Sequence, residues 1–276
     1  MSAASHPVGV FDSGVGGLTV LNALMGALPA ESFVYLGDTA RLPYGTKSPE
    51  TVVRYATRAA DLLVQRGIKA LVVACNTASA AALPALRERF RDLPVIGVVE
   101  PGAAAACALT RSGRIAVIAT ESTVAGGAYQ RAILALRPDA HIMARACQVF
   151  VALAEEGWIE GDVVQAAAHR YLDPVFTDCD PSDRPDTLVL GCTHFPVLSP
   201  VLAAVAGPGV TVVDASSVVA RALREALHQR QLLLAPTGPA GTLELMATDG
   251  VERFARVGAT FLGRAILAQD VRLVDL

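Results

Sequence analysis

Two cysteines of this chain stand in matching surroundings. Cys75 follows Ala70-Leu71-Val72-Val73-Ala74 and precedes Asn76-Thr77; Cys192 follows Thr187-Leu188-Val189-Leu190-Gly191 and precedes Thr193-His194. Each apolar run reads as a buried strand, so each thiol falls at a strand's carboxyl end, where parallel sheets place their ligand crevices. The small polar residues that follow would lie near a helix N-terminus, which favours a thiolate and can hold a carboxylate. One strand-end cysteine is ordinarily a small buried hydrophobe. Two in equivalent contexts, one in each half of the chain, point instead to a working pair. Inverting a Cα centre needs such a pair: one group removes the proton from one face, the other supplies a proton to the opposite face, and the roles exchange for the mirror-image substrate. A free thiol titrates near about 8.5, so the base needs polar donors or a cation beside it. His194 is the candidate proton partner for Cys192.

The remaining three cysteines are given no role. Cys107 sits in the alanine-rich stretch 103–109 and reads as helix core, Cys147 lacks a following polar pair, and Cys179 lies between Asp178 and Asp180, a poor place for a thiolate. An odd count of five without a C-x-x-C pair argues against both a zinc ribbon and a disulfide framework, and no metal site is expected. Pyridoxal phosphate would require a Schiff-base lysine. The chain has only Lys47, in a turn, and Lys69, which precedes a strand and reads as a surface residue, so the chemistry is expected to need no cofactor.

Three further polar segments stand out. Asp12-Ser13-Gly14-Val15-Gly16-Gly17 lies between a strand and a helix, as a dinucleotide fingerprint would, but Thr19 replaces the third glycine and Asp12 would repel phosphate. Asp12 suits an ammonium group or the protonation of a neighbouring thiol; the alternative is a tight turn with Asp12 as cap. The turn-rich segment 36–46 begins at a strand end and so belongs on the same rim; Tyr44 and Gly45 could offer a hydroxyl and an amide to a carboxylate, the alternative being an ordered surface loop. Glu155 and Glu156 close an apolar stretch and read by default as a solvated helix face; spacing does not choose one of them as functional.

The elements that must position these residues alternate. Strand-like runs at 8–11, 33–36, 70–74, 95–98, 115–119, 188–190 and 210–213 are interleaved with helical stretches at 18–28, 49–66, 78–90, 125–136, 163–176 and 218–229, with Ser48 and Asp162 as N-caps. This pattern predicts an α/β fold with largely parallel, doubly covered sheets. The repeated strand–Cys–polar–helix segment favours two similar domains over a solenoid. Turn chemistry at 99–102 and 207–209 divides them into 1–99 plus 211–276, carrying Asp12 and Cys75, and 100–210, carrying Cys192 and His194. Loops are expected at 178–185 and 236–241.

Composition sets the outer limits. The 276 residues are 53% hydrophobic and 18% charged, with mean hydropathy +0.44, yet no apolar run approaches the roughly 18 residues of a membrane span. The apolar excess is core. A net charge of −3 without a basic block offers nothing to a phosphate backbone, so neither nucleic acid nor membrane is an expected partner. The segment 1–7 has no basic start or apolar stretch, so no signal peptide is expected and the chain reads as cytoplasmic.

Together, segments 9–20, 35–45, 74–80 and Gly191-Cys192-Thr193-His194-Phe195-Pro196 resemble the glutamate racemases of the aspartate/glutamate racemase superfamily. His194 after Cys-Thr separates this pattern from the related aspartate racemases, which usually carry Glu there. The resemblance implies two α/β domains related by a pseudo-twofold axis with glutamate bound between them, a cytoplasmic homodimer, and supply of D-glutamate for peptidoglycan. It implies Cys75 as the base for D-glutamate and Cys192 for L-glutamate, assisted by Asp12 and by His194, with Glu155 as a further polar assistant. Ser13, Tyr44, Gly45, Asn76, Thr77 and Thr193 would bind the substrate with Asp12 and His194. The chain departs from the pattern at 146–153, which lacks the family's usual prolines, and at Ala215-Ser216, where Ser-Ala is more usual. Its short N-terminal lead sets it apart from members activated by a nucleotide-linked cell-wall precursor. The competing readings are an aspartate or hydantoin racemase and, outside catalysis, a two-domain glutamate-binding protein.

Overall fold

The computed structural model describes residues 3–236 and 239–276. Met1 and Ser2 of the N-terminal lead and Thr237 and Gly238 of the loop expected at 236–241 lie outside the described residues. Among the described residues the strands are β1 Val8–Asp12, β2 Phe33–Gly37, β3 Ala70–Val73, β4 Val95–Gly97, β5 Arg114–Ala119, β6 His141–Ala146, β7 Thr187–Gly191, β8 Thr211–Asp214, β9 Leu243–Ala247 and β10 Val271–Leu273. The helices are α1 Leu18–Ala27, α2 Pro49–Gln65, α3 Asn76–Arg89, α4 Val99–Leu109, α5 Glu121–Ala125, α6 Ala128–Leu136, α7 Val149–Glu155, α8 Asp162–Phe176, α9 Ser199–Ala206, α10 Ala215–Gln229 and α11 Val251–Leu262.

The strands form two sheets, ordered β10-β9-β2-β1-β3-β4 and β6-β5-β7-β8, and every pairing is parallel. The four-strand order β2-β1-β3-β4 recurs in the second sheet as β6-β5-β7-β8. Cys75, just beyond β3, and Cys192, just beyond β7, therefore occupy equivalent places, beside the switch point where parallel sheets bind ligands. β1, β2, β3 and β7 are buried along their whole length, which is why they read as unbroken apolar runs. In the first unit α1, α10 and α11 pack on one face of the sheet through Leu21, Leu24, Val219, Leu223, Phe254 and Phe261. α2 and α3 cover the other face with Ala56, Leu63, Ala82 and Leu86. In the second unit α4 and α6 lie on one face and α7, α8 and α9 on the other.

Several expectations need correction. Residues 99–102 are the first turn of α4, where Pro101 sacrifices an N–H that has no helical acceptor anyway. The chain recrosses after β8, which pairs with β7, so the second sheet runs to Asp214 rather than ending at 210. The stretch 125–136 is split into α5 and α6 by Gly126-Gly127, with Gly127 at φ +62. Ser48 caps α2 by accepting the Thr51 N–H at 3.4 Å, whereas Asp162 is the first helical residue of α8 and Gly161 precedes it. Lys69 is not a surface residue: it is 4% exposed, ion-paired with Glu31, and donates to the carbonyls of Ala4 and Leu232. It sits at the opposite end of β3 from Cys75. Among the described residues no helix is long and apolar enough to cross a membrane.

Candidate active site between the two units

Cys75 and Cys192 line one small cavity. The first unit contributes Ser13, Tyr44, Gly45, Cys75, Asn76 and Thr77; the second contributes Thr120, Gln148, Cys192, Thr193 and His194. The thiols are 5% and 6% exposed. A wider groove of ≈ 1060 Å³ between α3, α4 and α6 is lined mainly by alanine, leucine and proline and holds no thiol.

On the Cys75 side the sulfur caps α3, accepting the Ala78 N–H at 3.4 Å, while the thiol donates to the Ser13 hydroxyl at 3.5 Å. Burial, reinforced by the Asp12 carboxylate, pushes the Cys75 thiol up to about 12, so near neutral pH it holds its proton. Asp12 ends β1 and is fully buried. Its Oδ2 accepts the Gly14 N–H at 2.9 Å, and its Oδ1 has no partner. Burial raises its pKa against the pull of His194 and the amides of Gly17, Gly14 and Ser13. Tyr35 donates to the Gly14 carbonyl at 2.9 Å and pins this loop from the neighbouring strand.

The Cys192 side is built differently. After Cys192 the chain makes a single tight 3-10 turn at Phe195–Leu198 before α9, so the thiol does not cap an α-helix as Cys75 does. Its companion is instead His194, with Nδ1 3.8 Å from Sγ and Nε2 3.1 Å from Glu155 Oε1. Burial opposes charge on the ring, but contact with Cys192 and Glu155 outweighs it and holds His194 up at about 10. Glu155 shows the converse balance: burial would raise its carboxyl, yet His194 and Arg253 bring it below the usual range. Arg253 donates to Glu155 Oε2 at 2.8 Å. An imidazolium is thus placed beside one sulfur and a buried carboxyl near the other.

Further polar groups surround the pair. The hydroxyls of Thr77, Thr120 and Thr123 form a triangle with sides of 2.9–3.0 Å that spans both units. Tyr129 donates to Asn76 Oδ1 at 2.7 Å, which fixes the carbonyl end of that amide and leaves the NH2 end to donate. Tyr44 lines the cavity, but its hydroxyl donates to Asp38 Oδ2 at 2.6 Å, so it serves as a wall rather than the expected carboxylate partner. A Cβ on Gly45 would lie 2.6 Å from the Thr120 Cβ, so only glycine allows the units to meet there. Gly16 likewise faces Thr193 and His194. The glycine-rich loop is therefore a close contact between units rather than a phosphate cradle.

Sequence reasoning missed Thr120, Thr123, Gln148 and Arg253. Thr120 directly follows β5, as Ser13 follows β1, and that strand-end position was the available signal. Gln148 precedes α7, and its Oε1 is buried without a partner. Nothing local marks Arg253. Cys107 lies in α4, Cys179 in the loop after α8, and Cys147, though buried, does not line the cavity. Among the described residues no group of three or more His, Cys, Asp or Glu is arranged to hold a metal ion.

Comparison with known proteins agrees with this architecture. A family model described as Asp/Glu/Hydantoin racemase matches residues 16–223. The chain is 50% identical over 256 residues to a glutamate racemase of Geobacter metallireducens, covering 93% of this chain and 92% of that one. It is similar to the crystal structure of glutamate racemase from Francisella tularensis in complex with D-glutamate, with a TM-score of 0.89, 34% identity and coverage of 99% and 98%. The glutamate racemase of Thermus thermophilus in complex with β-chloro-D-alanine superposes with a TM-score of 0.86 at 41% identity, covering 99% of this chain and 98% of that one.

Proposed function

The chain belongs to the Asp/Glu/Hydantoin racemase family, and from that premise we propose that it interconverts L- and D-glutamate by two-base proton transfer between Cys75 and Cys192, without a cofactor. The observation that carries this reading is the convergence of two thiols, at equivalent strand ends of two similar units, on one small cavity.

In this mechanism Cys75 deprotonates D-glutamate and Cys192 deprotonates L-glutamate, and the opposite thiol returns a proton to the other face. Because burial keeps the Cys75 thiol protonated, its proton must leave before it acts. Asp12, with one unpartnered oxygen, is the acceptor on that side. His194 keeps a positive charge beside Cys192, which offsets negative charge developing at Cα. Asn76, the Gly45 amide, Ser13 and Thr193 supply donors for the two carboxylates. Gln148 Oε1, buried without a partner in the cavity wall, supplies an acceptor for the ammonium group. The biological role that follows is supply of D-glutamate to peptidoglycan in the cytoplasm, by a homodimer.

The test is circular dichroism of either enantiomer incubated with enzyme and no added cofactor, in deuterated water. Loss of optical activity with deuterium appearing at Cα is expected. Binding of glutamate with protium retained would leave only a binding protein, and turnover of aspartate or a hydantoin instead would move the chain to another branch of the family.

A pH profile gives a separate check. His194 gives up its proton near pH 10, so kcat/KM is expected to fall as pH rises through that value. Glu155→Gln removes one of the two partners that favour the imidazolium, so this alkaline limb should move to lower pH. A limb that stays in place would remove Glu155 from the proton balance of His194.

A further inference from the structure

We propose that α11 straps the first unit onto the Cys192 half of the site and that Arg253, at its start, is a positioning residue acting through Glu155; this rests on the racemase reading given above. Cys192, His194 and Glu155 all belong to the second unit, yet the two groups that complete the arrangement come from the first. Arg253 holds Glu155 Oε2 at 2.8 Å while Oε1 faces His194 Nε2 at 3.1 Å, so both carboxylate oxygens are engaged and the group is clamped between cations. Two turns further along α11, Phe261 meets the His194 ring edge-on, with centroids 5.1 Å apart and planes at 76°. One helix therefore fixes the imidazole twice: Phe261 sets its plane, and Arg253 sets the carboxylate that its far nitrogen addresses.

The energetics favour a positional role over a stabilising one. The Arg253 side chain is 50% exposed, whereas that of Glu155 is 15% exposed. An ion pair with one end so open to water adds little to folding. A carboxylate without that second partner, however, is free to rotate at the end of α7, and the imidazole it orients stands 3.8 Å from the Cys192 sulfur. Displacements of an ångström in such groups cost rate far more than stability. Since Arg253 and Glu155 sit on different units, the bridge forms only when the units are closed together. Correct alignment of Cys192 is thereby tied to closure.

The test is a double-mutant cycle on the intact protein, with kcat and KM measured for both enantiomers. Arg253→Met is expected to lower kcat by roughly 10- to 100-fold with KM changed less than about threefold and the melting temperature nearly unmoved. Arg253→Lys, which keeps the charge within reach, should recover most of the loss. In a Glu155→Gln background, Arg253→Met should change kcat by no more than about twofold, because the group through which it acts is already compromised. Unchanged kcat in Arg253→Met, or an equal loss with and without Glu155, would overturn the proposal. Absence of racemisation by the unmodified protein would instead defeat the functional reading.

Discussion

With Cys75 replaced by alanine, L-glutamate in deuterated water is expected to gain deuterium at Cα without changing hand, while D-glutamate keeps its protium; Cys192→Ala should give the mirror result. In the proposed mechanism each face of the bound Cα is served by a single thiol. When Cys75 is absent, Cys192 can still remove the proton of the L-enantiomer, exchange it with solvent and return a deuteron to the same face, but nothing delivers one from the other side. Racemisation should fall by on the order of 10²–10⁴-fold or more in each variant, the range associated with loss of a positioned acid or base. Loss of one buried sulfur costs about 1 kcal/mol of stability, by analogy with other single-group deletions in a core, so both variants should fold. Exchange is the informative readout because the enantiomers have equal free energy in water. The forward and reverse kcat/KM must stay equal in every variant, and steady-state rates alone cannot assign a thiol to a face. A single-cysteine variant that racemises normally would remove that cysteine from the mechanism, and exchange of both enantiomers by both variants would refute the assignment of faces.

How much of this was readable from residues alone depends on where each residue sits. The central strands β1, β2, β3 and β7 announce themselves because burial on both faces demands continuous apolar runs. β6, β9 and β10 do not. β6 and β10 are the outer strands of their sheets, and His141 and Arg145 in β6, Glu244 in β9 and Arg272 in β10 interrupt the apolar pattern. The thiols were legible because duplication repeats their context, and the identical strand order of the two sheets explains why it does. His194 was legible by adjacency. Glu155 was separable from Glu156 only through the resemblance, since its contact with His194 spans 39 residues and depends on how α7 ends. Tyr44 was misassigned for a local reason: Asp38, six residues earlier, captures the hydroxyl, and residue types do not reveal which way a ring turns. Arg253 is 98 residues from Glu155 and could be found only in three dimensions.

Gly16→Ala is expected to cost turnover on the order of 10²-fold while the protein stays folded. A Cβ on Gly16 would lie 2.5 Å from Thr193 Oγ1 and 2.6 Å from His194 Nδ1, distances that real contacts do not reach. Something must move, and the surroundings limit what can. The Thr193 carbonyl accepts from the Thr19 hydroxyl at 3.2 Å, tying the second unit's loop to the start of α1. His194 is held by Glu155 and Phe261. The strain is therefore relieved either by turning the imidazole away from Cys192 or by parting the units at the cleft, and both break the 3.8 Å sulfur–nitrogen contact. Overpacking of this kind costs about 1–3 kcal/mol of stability, which a melting curve will register without loss of the folded state. The pH profile distinguishes this from a general loosening: with His194 displaced from Cys192, the alkaline limb should move down from about pH 10, as it does when Glu155 is neutralised. Gly26→Ala in α1 is the control, since nothing lies within 4 Å of a Cβ there. That change should leave turnover intact and add roughly 0.5–1 kcal/mol of stability through helix propensity. Normal turnover and an unmoved pH profile in Gly16→Ala would mean that contact between the glycine loop and the Thr193-His194 segment does not set the geometry of the second thiol.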